Sequence, residues 1–155
     1  MKMELCDSYG RKINYLRISL TDRCNFNCVY CRNGRAEFLK REDILTLEEI
    51  EFLALFFHEK LGVEKIRLTG GEPLMRRGVE NLIKNLAEKN LKVKITTNGF
   101  FLGKFSKFLS EYKVDVNVSL DTLAPEKFKK INGLDCFHEV VEGIDKAIRD
   151  GVKLK

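Results

Sequence analysis

Four short runs in this chain alternate between apolar and polar residues, and each is followed by a longer stretch with helical spacing. Leu16, Ile18 and Leu20 alternate with Arg17, Ser19 and Thr21. Ile66 and Leu68 alternate with Arg67 and Thr69, and Val93 and Ile95 with Lys94 and Thr96. Val114, Val116, Val118 and Leu120 alternate with Asp115, Asn117, Ser119 and Asp121. Between them run helical stripes: Leu47, Ile50, Ala54, Phe57 and Leu61; Val79, Leu82, Ile83 and Leu86; Leu102, Phe105, Phe108 and Leu109; and Val140, Val141, Ile144, Ala147 and Ile148. Thr46 with Glu49 marks the first helix start as a capping box. Strands and helices in this order predict parallel pairing through right-handed crossovers.

The strands are apolar on one face only. A parallel sheet covered by helices on both sides reads as continuous apolar runs. Here the second face carries Arg17, Ser19, Arg67, Thr69, Lys94, Thr96, Asn117 and Ser119. That pattern predicts an α/β fold of the TIM-like β/α-barrel type, with helices outside and a polar lumen. The alternative is a sheet with one solvent-exposed face. A whole β/α barrel takes about 250 residues, and this chain of 155 residues supplies four βα units plus the start of a fifth strand at Val152–Lys155. Residues 1–155 are thus read as the N-terminal part of one partial barrel domain, its C-terminal remainder absent. Four open units leave an unpaired strand edge, so the chain alone is expected to be poorly soluble or to self-associate.

Apolar residues make up 44% and charged residues 33%, which fits a core-forming chain. No apolar run reaches the roughly 18 residues of a membrane span, and no signal core opens the chain. The reading is a cytoplasmic protein with no membrane partner. The net charge of +5 is dispersed, without the basic arm or block of a nucleic-acid binder.

Three of the five cysteines fall close together, as Cys24, Cys28 and Cys31 in C-x3-C-x2-C spacing just after the first strand. With no secretory signal and an odd count, a disulfide framework is disfavoured. Three close thiolates can hold three irons of a [4Fe–4S] cluster and leave the fourth open to another ligand. Zinc is the other reading and needs a fourth ligand, for which Cys6, His58, Cys136 and His138 are available without finger-like spacing. After the second strand stands Gly70-Gly71-Glu72-Pro73. Its glycines permit close backbone approach to a ligand, and its carboxylate can accept from an ammonium group.

The two motifs at neighbouring strand ends resemble the radical S-adenosylmethionine (radical SAM) superfamily. Within it, DSYGRKINYLRISLTDRCNFNCVYC, KIRLTGGEPLMRRG, ITTNG, VNVSLDTL and GVKLK are similar to the N-terminal half of the GTP 3′,8-cyclases, lyases that open molybdenum cofactor biosynthesis. After Cys31 that family usually has Met-Pro, where this chain has Arg32-Asn33. The resemblance implies that Cys24, Cys28 and Cys31 ligate the cluster. It implies that Tyr30, Gly71, Glu72 and Ser119 contact S-adenosylmethionine, with Glu72 receiving its ammonium. Arg17, Arg67, Thr96 and Lys155 match positions that contact GTP. The chemistry implied is one-electron cleavage of S-adenosylmethionine to a 5′-deoxyadenosyl radical that takes hydrogen from the GTP ribose, yielding (8S)-3′,8-cyclo-7,8-dihydroguanosine 5′-triphosphate. A reducing electron donor, the missing C-terminal half or a split partner, and a homo-oligomer are the partners that follow. The chain alone is expected to be inactive on GTP.

Residue by residue, plainer roles stand beside these. Tyr30 could simply pack beside the cluster, and Arg17 and Arg67 could pair with lumen acids such as Asp121. Asn98 and Gly99 read as a strand-ending turn. His58, His138, Cys6 and Cys136 read as structural or incidental. A radical SAM enzyme acting on a peptide or another small molecule, and a non-catalytic metal-binding remnant, are the other functional readings.

Overall fold

A computed structural model describes residues 4–31 and 37–155 of the chain; Arg32-Asn33 lie outside them. The strands are β1 (Tyr15–Ser19), β2 (Lys65–Thr69), β3 (Lys92–Thr97) and β4 (Asp115–Val118). They form one parallel sheet in the order β1-β2-β3-β4. The helices are α1 (Leu47–Leu61), α2 (Val79–Glu88), α3 (Leu102–Glu111), α4 (Pro125–Asn132) and α5 (Phe137–Arg149). Among the described residues, none of the helices is long and apolar enough to cross a membrane.

Register explains the two faces. Leu16 lies beside Ile66, Ile66 beside Val93, and Ile95 beside Val116, so one face is a continuous apolar layer. Ile66, Leu68, Val93, Ile95 and Val116 are buried there under Ile50, Ala54, Leu82, Ile83, Leu86, Leu102 and Leu109 of the covering helices. The opposite face carries the polar alternates, and its rows are set by the same register: Arg17–Arg67–Lys94–Asp115 in one, with Ser19 against Thr69 and Thr96 against Asn117 one step further along.

Past α5 the chain returns beside β4. Val116 N donates to Lys153 O, Val118 N to Lys155 O, and Lys155 N to Val116 O, each at 2.9 Å. This parallel bridge, Val116 to Leu154, is the start of the fifth strand that the sequence pattern predicts. The one-sided parallel sheet with outer helices agrees with a partial TIM-like barrel.

The Thr46–Glu49 capping box forms as read from the sequence. Helix α4, which the apolar pattern does not announce, is a difference. Its sequence PEKFKKIN buries only Phe128 and Asn132. Phe128 is fully buried, edge-on to Phe26 and Phe137, and Cys136 and Val140 complete this second, smaller core. Replacing Phe128 with Ala removes the anchor of α4 and leaves a cavity, at a cost of about 3–5 kcal/mol. A lowered midpoint in urea unfolding measures it.

Candidate functional site

The loop from Thr21 to Cys31 leaves the C-terminal end of β1 and is held from two directions. On one side the Gly70–Pro73 turn after β2 runs against it. Gly71 N donates to Thr21 O at 2.6 Å, and Glu72 N to Arg23 O at 2.8 Å. A Cβ on Gly71 would stand 2.2 Å from Arg23 O, and one on Gly70, whose φ is +143°, would stand 2.4 Å from Thr21 O. The glycines are therefore required by the approach of two backbones, a use beyond the approach to a ligand expected from the sequence. On the other side, the C-terminal turn of α4 takes Asn27 N on Asn132 O at 3.0 Å and Val29 N on Ile131 O at 2.9 Å.

Glu72 is fully buried. Its Oε1 accepts from Thr97 Oγ1 at 2.8 Å and Leu74 N at 3.0 Å, and its Oε2 from Asn98 N at 2.8 Å. Burial pushes this carboxyl above its ordinary range, while the three hydrogen bonds pull the other way. The carboxylate thus joins the loop after β2 to the end of β3. Asn98 extends the link. Its Nδ2 donates to Asn25 Oδ1 at 2.9 Å and lies 3.6 Å from Cys24 Sγ, and its Oδ1 accepts from Phe100 N at 3.0 Å. Asn98 does end the strand, as its turn chemistry suggests, but it also grips the cysteine loop. Gly99, with φ +87°, makes the turn itself.

Cys24 and Cys28 are half-buried and Cys31 is exposed; all are free thiols. Burial pushes the Cys24 and Cys28 thiols up, and their neighbouring thiols act in the same direction. Phe26 N donates to Cys24 Sγ at 3.4 Å, and Cys28 Sγ lies 3.1 Å from Asn132 Oδ1. Tyr30 is exposed and donates its hydroxyl to Asp121 Oδ2 at 2.7 Å, a bond that pushes its own ionisation up. Asp121 is therefore engaged by Tyr30 and has no bond to Arg17 or Arg67. Ser119 stands just beyond β4, its N–H donating to Thr97 O at 2.9 Å.

On the polar sheet face Arg67 donates to Thr96 Oγ1 at 2.9 Å and to the Tyr15 hydroxyl. The structure thus brings together two of the residues expected at GTP. Arg17 lies beside Arg67 in register, on the exposed edge strand. Lys155 is exposed at the far side, beyond β4. Lys94 pairs with Asp115 at 2.6 Å, each side chain about three-quarters buried, at 23% and 24% exposure.

The zinc alternatives fall elsewhere. Cys6 is exposed in a bridge with Lys12, His58 in the last turn of α1 has Nδ1 2.6 Å from Val63 O, His138 is exposed, and Cys136 lies in the smaller core. Among the described residues no three His, Cys, Asp or Glu side chains converge as a ready cation site. A single tetrahedral ion with bonds of about 2.3 Å draws its sulfurs to within about 3.8 Å of one another. A polynuclear iron–sulfide group is larger and accepts wider spacing. The loop also holds two buried polar atoms without a partner, Asn25 Nδ2 and Asp22 Oδ1. The soft sulfur donors of Cys24, Cys28 and Cys31 fit an iron–sulfur group.

The Radical SAM superfamily pattern matches residues 18–155. The chain is 47% identical over 156 positions to a GTP 3′,8-cyclase of Rhizobium leguminosarum bv. trifolii (strain WSM2304), which covers 97% of this chain and 44% of that protein. It is 46% identical to a GTP 3′,8-cyclase of Brucella ovis (strain ATCC 25840 / 63/290 / NCTC 10512), over 97% of this chain and 45% of that one. Among solved structures it resembles Streptococcus suis SuiB bound to S-adenosylmethionine, with a TM-score of 0.78 at 22% identity over 91% of this chain and 32% of that one. It also resembles anSMEcpe with bound AdoMet, with a TM-score of 0.69 at 26% identity over 91% of this chain and 40% of that one. The chain belongs to the radical SAM superfamily, and it spans less than half the length of the curated relatives it matches.

Two outcomes follow from the geometry. Gly71→Ala forces the two loops apart and costs about 1–3 kcal/mol; faster modification of Cys24 by a thiol reagent reports the opened loop. The hydrogen bond from Lys94, followed by nearby lysine charge, holds the Asp115 carboxyl below the usual carboxylate value of 3.8. A depressed folded value stabilises above the unfolded one and is lost as pH falls through the folded value. Unfolding free energy of the native chain therefore drops more between about pH 5 and pH 3 than that of Asp115→Asn, by about 1 kcal/mol or less.

Proposed function

We propose that this radical SAM chain is the N-terminal portion of a GTP 3′,8-cyclase acting in molybdenum cofactor biosynthesis in the cytoplasm. The observation that carries the reading is the row Arg17–Arg67–Lys94 on the polar face of the sheet whose first strand leads into the thiol loop. Only Asp115, which is bound to Lys94, stands in that row with opposite charge. Such a face suits a polyanionic nucleotide placed within reach of the loop.

In this reading Cys24, Cys28 and Cys31 hold a [4Fe–4S] cluster. Tyr30, Gly71, Glu72 and Ser119 bind S-adenosylmethionine, and Arg17, Arg67, Thr96 and Lys155 bind GTP. When bound, cluster and S-adenosylmethionine supply one-electron reductive cleavage and a carbon radical. The chain's own residues position. Arg67, fixed through Thr96 and the Tyr15 hydroxyl, presents its planar fork to phosphate oxygens, two at a time. Arg17 adds a second guanidinium from the neighbouring strand. Glu72 fills three of its roughly four acceptor positions within the protein and is fully buried, so it braces the loops of the site, and an ammonium would reach the fourth position only where those loops part. Asp121 keeps the Tyr30 hydroxyl proton on oxygen and the ring at the thiol loop. The C-terminal half of the longer protein, in cis or as a partner, and a low-potential electron donor complete the activity.

Anaerobic reconstitution with ferrous iron and sulfide tests this. About four irons per chain are expected, with an electron paramagnetic resonance signal that changes when S-adenosylmethionine is added. The chain alone gives no cyclised product from GTP. Zinc retention in place of iron, or a signal blind to S-adenosylmethionine, overturns the proposal.

A further inference from the structure

Two asparagines reach the thiol loop from distant parts of the chain, Asn98 from the end of β3 and Asn132 from the end of α4. We propose that their side-chain amides are the hydrogen-bond donors to the sulfurs of Cys24 and Cys28 in the loaded protein, and that they thereby raise the reduction potential of the group those cysteines hold. The proposal rests on the cluster reading above.

For Asn98 the orientation is fixed. Its Oδ1 is occupied by Phe100 N at 3.0 Å and its Nδ2 by Asn25 Oδ1 at 2.9 Å, which leaves Nδ2 facing Cys24 Sγ at 3.6 Å. Oxygen and nitrogen of an amide are otherwise assigned from such partners alone. Cys24 thus receives two N–H groups, this one and Phe26 N at 3.4 Å.

Asn132 is 3% exposed, and its Oδ1 accepts from the Cys28 thiol at 3.1 Å. A ligated thiolate has no proton to give. A half-turn of the amide then brings Nδ2 to the sulfur, so one side chain serves both states. Aspartate, with no N–H, serves only the thiol. The backbone stays put through that turn, because Asn132 O and Ile131 O hold Asn27 N and Val29 N.

An N–H directed at a ligating sulfur stabilises the more negative, reduced state, and such bonds are among the determinants of cluster potentials. The redox step is one electron from a reductant such as dithionite to the cluster, with no bond or proton transferred and dithionite oxidised.

The test is a potentiometric titration of the reconstituted 155-residue chain, followed by electron paramagnetic resonance, against Asn98→Ala and Asn132→Ala. At the native midpoint potential each variant is expected to hold about tenfold less reduced relative to oxidised cluster, a shift of about 59 mV for one electron. In deuterated water, pulsed resonance shows one exchangeable deuteron coupling fewer in each, a signature that a merely structural role leaves intact. Asn98→Leu and Asn132→Leu keep the size with neither donor nor charge, and decide the matter where an Ala variant fails to fold; a lowered potential is expected from both. Potentials and deuteron couplings equal to the native chain's overturn the proposal while leaving the cluster reading in place. A native chain that takes up no iron–sulfur group overturns both.

Discussion

The buried carboxylate of Glu72 is the tie on which the functional end of this sheet depends. Parallel strands end in separate loops with no hairpin to relate them, so each loop must be fastened to the next by something else. Glu72 does this with three donors, two of them from Thr97 and Asn98 at the end of β3. Burying an ion is costly unless its lone pairs are filled. Here the bonds that fill them are also the ones that set the distance between the loops after β2 and β3. Asn98 passes the constraint on to Asn25 and Cys24.

The division of the sheet into two faces has a matching logic. The apolar layer of β1–β4 is sealed by α1, α2, α3 and α5, and burial of that layer supplies the driving force for the fold. Nothing in the folding energy asks for Arg17 beside Arg67 on the other side. Two guanidiniums in register repel one another in a sheet, and the pair is relieved only in part, by the Tyr15 and Thr96 hydroxyls. A polar face that costs stability is understandable where a ligand of opposite charge is to lie on it.

Strand order, the one-sided faces and the motif positions were legible because each is written in local periodicity. Leu16, Ile18 and Leu20 alternate without interruption, and the cysteines and glycines fall directly after strands. Helix α4 was not legible, since one buried phenylalanine in eight residues makes no stripe. Asn132 and Asn98 escaped for another reason. Asparagine at the end of a strand or helix is ordinary turn chemistry, and their partners Cys28 and Asn25 lie 104 and 73 residues away in the chain. Glu72 was found by its motif, but two of its three bonds, from Thr97 and Asn98, come from positions that only the folded sheet makes adjacent.

The grip of α4 on the thiol loop also has a meaning in time. Cys28 leaves the ribosome 104 residues before Asn132, and at about 5–20 residues per second that interval is roughly 5–20 s. Throughout it three reactive sulfurs are tethered to nascent chain but not yet seated. The loop therefore reaches its folded seat on Asn132 and Ile131 only after α4 has been translated.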